Sequence, residues 1–478
     1  MNDKTFSEAI WNTDPSDLDN PSACVQGRAS FDADRGISLE IPLGTLLDHG
    51  PVDGVITYGE DPLEADCVYG ISQTGSHLII TNLFESHRSM TCPGFNRQTL
   101  CGRELIASKR PMDPNPLVTN FMFTLVGLRE WVGISPTRHS VRYDDCNHLE
   151  EMNFRYAAAD IPDVVLLDED GVKVFVECVF TDKGGHIPQY EFGFITNYRV
   201  VISFDEPLPL QEVLETWVHP VRKFLALCMG FYGSISSMKF CTKEEIWADY
   251  YVALVEGDEP NQRDLTCMPL CWYRCSDRVP NMLKTWLRFD GYAKEAAIRV
   301  VSMLADWRLP LELRFLAVAQ AFEAVTRVDA DPNVLPTEEY ERRKRIVVTS
   351  IGETRVKRWV KRVLRYANRK SAGELAKEQM DRLGGFADYV VPNRERFLAD
   401  HRQTRNYNTH LGANGKVHVL HGEDLLVHSD ATYLLLYASV CLLMGLKPDE
   451  LLGLMKKCRW KSSAVYKSRR MYGMDCME

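Results

Sequence analysis

Arg405-Asn406-Tyr407-Asn408-Thr409-His410 lies at the end of a helical pattern over 392–408, in a C-terminal region whose apolar residues keep a helical period nearly throughout. An arginine with a histidine five positions on is a compact set for cleaving RNA without a metal. The imidazole exchanges a proton near neutral pH, because its unperturbed pKa is about 6.5. The guanidinium stays charged and holds a phosphate through two parallel hydrogen bonds.

Spacing alone is a weak signal, because Arg142 with His148, Arg394 with His401 and Arg396 with His401 fit the same loose pattern. What sets the 405–410 stretch apart is its context. Asn406 follows the arginine directly, Tyr407 comes next, and Gly412 and Gly415 stand where the helix should stop. On a straight helix, positions five apart lie about 140° from each other around the axis. Either the helix ends between Arg405 and His410, or the site draws on two chains. The bland alternative is a surface salt bridge for Arg405 and a helix C-cap for His410, where a cation is favoured. His401 with Arg402 lacks such a context and reads as a solvated face.

Outward from this stretch, helices are expected at 292–306, 311–327, 337–349, 353–369, 371–383, 392–408 and 424–446, separated by Pro310, Asp331-Pro332, Gly352 and Gly384-Gly385. The face of 424–446 that carries Leu425, Leu426, Leu434, Leu435, Val440 and Leu443 suits core or dimer contacts. The front of the chain has a different texture. Ser38–Ile41, Val68–Ile71, His77–Ile80 and Phe121–Val126 read as strands, and Val164–Leu167 with Val172–Val176 reads as a hairpin turning on Asp-Gly. A strand at Tyr198–Ser203 leads into a helical run over 207–230, and strands return over 235–256. The fold class is therefore α+β, with a β-rich N-terminal domain over 24–285, preceded by a loosely held polar arm over 1–23. An all-α bundle with a basic C-terminal tail follows over 286–478.

Charge divides the same way. Of the 56 Lys and Arg and 66 Asp and Glu, residues 1–290 carry 24 and 43, and residues 291–478 carry 32 and 23. One half repels a polyanion and the other attracts it. Residues 341–370 hold twelve Lys or Arg against two Glu. Arg355, Arg358, Lys361, Arg362 and Arg365 recur at helical spacing and are the expected RNA contacts. Lys456, Lys457, Arg459, Lys461, Lys467, Arg469 and Arg470 extend the basic character into the tail. Trp359, Tyr366 and Trp460 are interleaved and suit either base stacking or core packing.

The opening residues have no basic start followed by an apolar core, and the apolar run Tyr433–Leu446 is short of a bilayer span, so a cytoplasmic chain without membrane contact is expected. Among 14 cysteines the spacing Cys267-x3-Cys271-x3-Cys275 suggests a zinc site completed by a fourth ligand such as Cys241. Packed thiols are the competing reading, and no cofactor is expected. Pro162-Asp163 with Glu177-Cys178-Val179 lacks the lysine of a metal-dependent nuclease core. Gly412-x2-Gly415-Lys416 is too short for a phosphate-binding loop.

Arg405-Asn406 through Thr409-His410, bracketed by long amphipathic helices, resembles the motif of HEPN-domain ribonucleases, specifically the ApeA-like branch of bacterial anti-phage proteins. The resemblance is strongest over roughly 300–455, and Tyr190–Gly230 is similar to the end of the ApeA N-terminal domain. It implies a HEPN-type bundle whose protomers pair so that Arg and His of both line one cleft, in a homodimer or a higher assembly. Arg405, Asn406 and His410 would be catalytic: attack by a ribose 2′-hydroxyl leaves a cyclic phosphate, with His410 as general acid or base and Arg405 neutralising the transition state. Abortive infection set off by a phage-derived trigger is implied, with host RNA as the substrate. Transfer RNA is the expected target class, because an anticodon loop exposes unstacked nucleotides. The contrasting expectation is a non-catalytic nucleic-acid-binding or dimerisation protein with a partner-recruiting front domain.

Overall fold

A computed structural model describes residues 4–33, 35–48, 63–89, 93–134, 137–156, 163–182, 194–253, 265–305, 309–328, 330–410 and 418–473. The chain divides into two compact units. The first comprises 1–225, 231–263 and 271–276, and the second 226–230, 264–270 and 277–478.

The first unit is built on strands β1 (Lys4–Asn12), β2 (Val25–Asp32), β3 (Gly36–Ile41), β4 (Glu64–Ser72), β5 (His77–Ser89), β6 (Arg97–Gly102), β7 (Glu104–Ser108) and β8 (Leu117–Leu125). After helix α1 (Leu128–Val132) come β9 (Thr137–Tyr143), β10 (Leu149–Tyr156), β11 (Val164–Glu169), β12 (Val172–Asp182) and β13 (Phe194–Pro209). The helical run is α2 (Leu210–Glu212), a π-helical turn over Val213–Val218 and α3 (His219–Met229), followed by β14 (Ile235–Thr242) and β15 (Trp247–Val252).

Thirteen of these strands form one sheet in the order β11-β12-β13-β8-β14-β15-β7-β5-β4-β1-β2-β3-β6, with every pairing antiparallel. A further pairing of β6 with β5 closes the last six into a barrel. Long β5 makes this possible by serving two partners: His77–Thr81 pair with β7 and Phe84–Ser89 with β6. Between them Asn82 takes a positive φ of 52°, a bend that asparagine tolerates better than most side chains. Closure removes the exposed edges of these strands.

The expected loose arm is corrected here. β1 pairs with both β2 and β4, and Trp11 is fully buried in the barrel. Its inward residues Phe6, Ala9 and Trp11 are spaced three and then two because a bulge lies between Phe6 and Ala9, so the period-two signal is broken in the sequence. Gly70 faces the indole: a Cβ there would stand 2.6 Å from Trp11 Cε3. The expected hairpin is present, with Asp170 and Gly171 both at positive φ (52° and 76°), as a two-residue I′ turn requires. In that sheet Glu177 forms an ion pair with Arg199 directly opposite, a cross-strand partner that engages its carboxylate.

α4 (Trp272–Cys275) closes the list for the first unit. The second contains α5 (Val279–Leu287), α6 (Gly291–Ala305), α7 (Leu311–Val325), α8 (Thr337–Thr349), α9 (Thr354–Val363), α10 (Ala372–Leu383) and α11 (Gly385–Val390). It continues with α12 (Arg394–His410), α13 (Gly422–Leu443), α14 (Pro448–Lys456) and α15 (Ser462–Gly473). α13 is the axis of this unit, packed against α6, α7, α10, α11, α14 and α15. Its 22 residues are long and apolar enough to cross a membrane, yet 83% of its most apolar window is buried inside the structure. Leu425, Leu434, Leu435 and Val440 are fully buried and Leu426 and Leu443 half-buried, so this face packs mainly into the core. The basic tail is likewise part of the fold. Val465, Ser468 and Tyr472 of α15 are buried, Arg469 donates to the carbonyl oxygens of Asp388 and Tyr389, and Trp460 donates from Nε1 to Gly230 O. A tail whose apolar residues are sparse was legible as charge and not as packing.

Candidate phosphodiester site

α12 presents one stripe, Leu398, His401, Arg402, Arg405 and Asn406, to a pocket of about 70 Å³. These positions recur at three and four residues, the spacing of a single helix face. α7 supplies Ala319, Phe322 and Glu323 from its own stripe, and the first two turns of α10 add Ala372, Gly373 and Ala376. The small residues of α10 keep that wall low. Its start is set by a capping box, in which Glu374 N donates to Ser371 Oγ at 3.2 Å and Ser371 N donates to Glu374 Oε2 at 2.7 Å. The positive end of α10 therefore borders the pocket, an orientation that favours anions.

Arg405 is held rather than loose. Its Nη2 lies 2.9 Å from Glu323 Oε2, and its Nη1 donates to Asn406 Oδ1 at 3.3 Å. Glu323 Oε1 also pairs with Arg327 Nη2 at 2.6 Å. The bland expectation of a salt bridge for Arg405 is thus met in part, but in a half-buried pocket and not on an open surface. Arg402 has no ion pair among the described residues. One acid stands against three guanidinium groups here.

Helix α12 runs unbroken through position 410, so the helix does not end between Arg405 and His410. The two positions remain about 140° apart around its axis. The stripe that carries Arg405 continues at Thr409, whose hydroxyl donates to Arg405 O at 2.8 Å. The side chain of His410, with Gly412, Gly415 and Lys416, lies outside the described residues.

His401, expected on a solvated face, is instead a wall of the pocket. Phe315, Phe322 and Phe397 surround its ring at centroid distances of 5.7, 6.1 and 5.9 Å. Its Nδ1 is 3.1 Å from Nε2 of fully buried His428, and His428 Nδ1 is 2.6 Å from the Tyr472 hydroxyl. Burial, reinforced by nearby Arg405 and opposed by Glu323, lowers the His401 pKa to about 4. Burial, and then His401 itself, hold His428 well below the ordinary value. Both imidazoles are neutral at pH 7. Sequence reasoning missed this chain because its members sit on α12, α13 and α15; the one available hint was a histidine, His428, inside an otherwise apolar helix.

The basic surface also differs in detail. In α8, Arg342 and Arg343 pair with Glu339, and Lys344 with Glu341, so three of that cluster's four cations are satisfied locally. Among the described residues Arg355, Lys357, Arg358, Lys361, Arg362 and Arg365 have no ion pair. Lys357, Lys361 and Arg365 line an open groove of about 550 Å³ with Lys344 and Arg345 of α8. Arg355, Arg358 and Arg362 lie outside it, so the expected RNA contacts divide between two faces. Trp359 and Tyr366 are exposed, whereas Trp460 packs on Tyr433 and Tyr437, which removes it from any stacking role. Among the described residues no group of three or more His, Cys, Asp or Glu is placed to hold a metal ion. Cys241, Cys271 and Cys275 are buried and Cys267 is half-buried, and none of them belongs to such a group among the described residues.

Residues 316–450 match the family described as Apea-like HEPN, and residues 11–246 match that described as ApeA N-terminal domain 1. No curated protein and no solved structure matches the chain.

Proposed function

This chain belongs to the ApeA-like HEPN family and is a nuclease-type anti-phage defence protein, and from that membership we propose that it is a metal-independent endoribonuclease acting in abortive infection. The observation that carries this reading is the pocket in which Arg405 and Asn406 meet Arg402 and the positive end of α10. That is a seat for a phosphodiester group. Arg405 neutralises charge gained at phosphorus, Asn406 orients it, and His410 moves the proton of the attacking 2′-hydroxyl or of the leaving 5′-oxygen. The unbroken α12 supports a site completed by a second copy, because one straight helix does not turn positions 405 and 410 toward one point.

Basic α9 supports RNA as the substrate, with transfer RNA as the class whose exposed loops suit a single-strand cutter. The acidic β-rich unit would sense a phage-derived trigger or restrain the nuclease, within a cytoplasmic homodimer. Purified full-length protein and its His410→Ala variant, incubated with total bacterial transfer RNA in excess EDTA, test the activity. New ends bearing cyclic phosphate and 5′-hydroxyl from the wild type alone are expected. Cleavage by neither, also after addition of phage-infected lysate, would overturn the ribonuclease reading in favour of a protein that only binds nucleic acid.

A further inference from the structure

The chemistry read from the motif uses one imidazole, and the pocket holds another. We propose that His401 contacts the bound RNA, donating from Nε2–H to a phosphodiester oxygen beside Arg405, with its tautomer set from behind by Tyr472 through His428. This rests on the reading of the pocket as a phosphodiester site.

Proton counting along the chain gives the direction. A tyrosine hydroxyl always carries a proton, and among the described residues His428 Nδ1 is the only hydrogen-bond partner of Tyr472 Oη. Tyr472 is 1% exposed, so if His428 were the donor the hydroxyl proton would be buried without an acceptor. The hydroxyl therefore donates to His428 Nδ1. A neutral His428 then bears its proton on Nε2 and donates it to His401 Nδ1. A neutral His401 is left with its own proton on Nε2, the ring atom free for the pocket that His401 lines with Arg405 and Asn406.

Charged groups also surround this chain. Arg402 and Arg405 come from α12, Glu323 from α7 is tied to Arg405 and Arg327, and Arg396 lies over the Tyr472 ring at 5.7 Å. Burial, and then the charges of Asp400 and Asp424 against that of Arg396, raise the Tyr472 pKa, so its hydroxyl keeps its proton. Phe315, Phe322 and Phe397 hold the His401 ring in place. A neutral donor fixed in this way adds a hydrogen bond to an anion without requiring its own ionisation.

Full-length protein labelled with 15N in its histidines, titrated with an uncleavable 2′-O-methyl oligoribonucleotide, tests the proposal directly. His401 is expected in the Nε2–H tautomer, with its signal shifting as the oligonucleotide binds. Tyr472→Phe, which keeps the ring volume, should mix the tautomers. His401→Asn should weaken oligonucleotide binding about tenfold, the worth of one hydrogen bond to a charged group, while His401→Gln, whose amide reaches the Nε2 position, should restore most of it. An Nδ1–H tautomer, or a silent His401 signal while the oligonucleotide binds, would overturn the assignment, whether or not unmodified RNA is cut. An oligonucleotide that does not bind would overturn this proposal and the phosphodiester reading together. A responding His401 in a protein that cuts no RNA would leave the contact standing and remove only the nuclease.

Discussion

Glu323 Oε2 lies 2.9 Å from Arg405 Nη2, so the arginine of the motif is anchored by an acid that its neighbouring helix brings from 82 positions earlier in the chain. The anchor fixes the guanidinium in the pocket and offsets part of the charge that an RNA phosphate would meet. Glu323→Gln keeps a hydrogen-bond acceptor and removes the charge. RNA binding measured by fluorescence anisotropy should tighten several-fold, since a partly exposed pair of this kind is worth about 1 kcal/mol or less. Weaker binding in the variant would mean that Glu323 serves chiefly to aim Arg405.

A site shared between two chains makes a distinct prediction. Arg405→Ala and His410→Ala chains should each be inactive alone, and co-expression should recover a fraction of the wild-type cleavage through mixed pairs. If each chain completed its own site, the mixture would stay as inactive as its components.

The α8–α9 groove should act through charge. Replacing Lys357, Lys361 and Arg365 by Gln removes three cations that have no ion pair among the described residues, and should lower RNA affinity at every sequence. The slope of log affinity against log salt should fall by about 2, as expected for three lost single-strand phosphate contacts. An unchanged slope would move the RNA path off this groove.

The buried imidazoles should give the helical unit an acid-sensitive stability. His401 stays neutral in the fold down to about 4, whereas an unperturbed histidine protonates near 6.5, so below that pH the unfolded chain binds more protons. Stability is therefore fully present above pH 6.5 and declines as pH falls toward about 4, at about 1.4 kcal/mol per pH unit for each such histidine. Urea unfolding between pH 7.5 and 5 checks this. His428→Asn should flatten the slope even as it lowers the stability at pH 7.5.

Local periodicity carried much of the architecture, because helices and strands each impress a short repeat on the chain. The order of a strand-built front and a helical back, the Asp170-Gly171 turn and the pairing of Arg405 with Asn406 are all readable over a few consecutive residues. What depends on long-range packing was not readable. Closure of the barrel needs β5 to meet β6 and β7 at different halves of one strand, and the bulge in β1 hides the residues that bury Trp11. The same three- and four-residue spacing placed cations on both α8 and α9, yet only the fold shows that those of α8 are largely paired. The chain of Tyr472, His428 and His401 joins residues 44 and 27 positions apart, distances over which no sequence period speaks. By itself the sequence determined which residues can do acid, base and charge work and on which kind of element they stand. Tertiary structure decided which of them share a pocket and which protons they carry, because contacts between helices and the loss of water on burial arise only once the chain has packed.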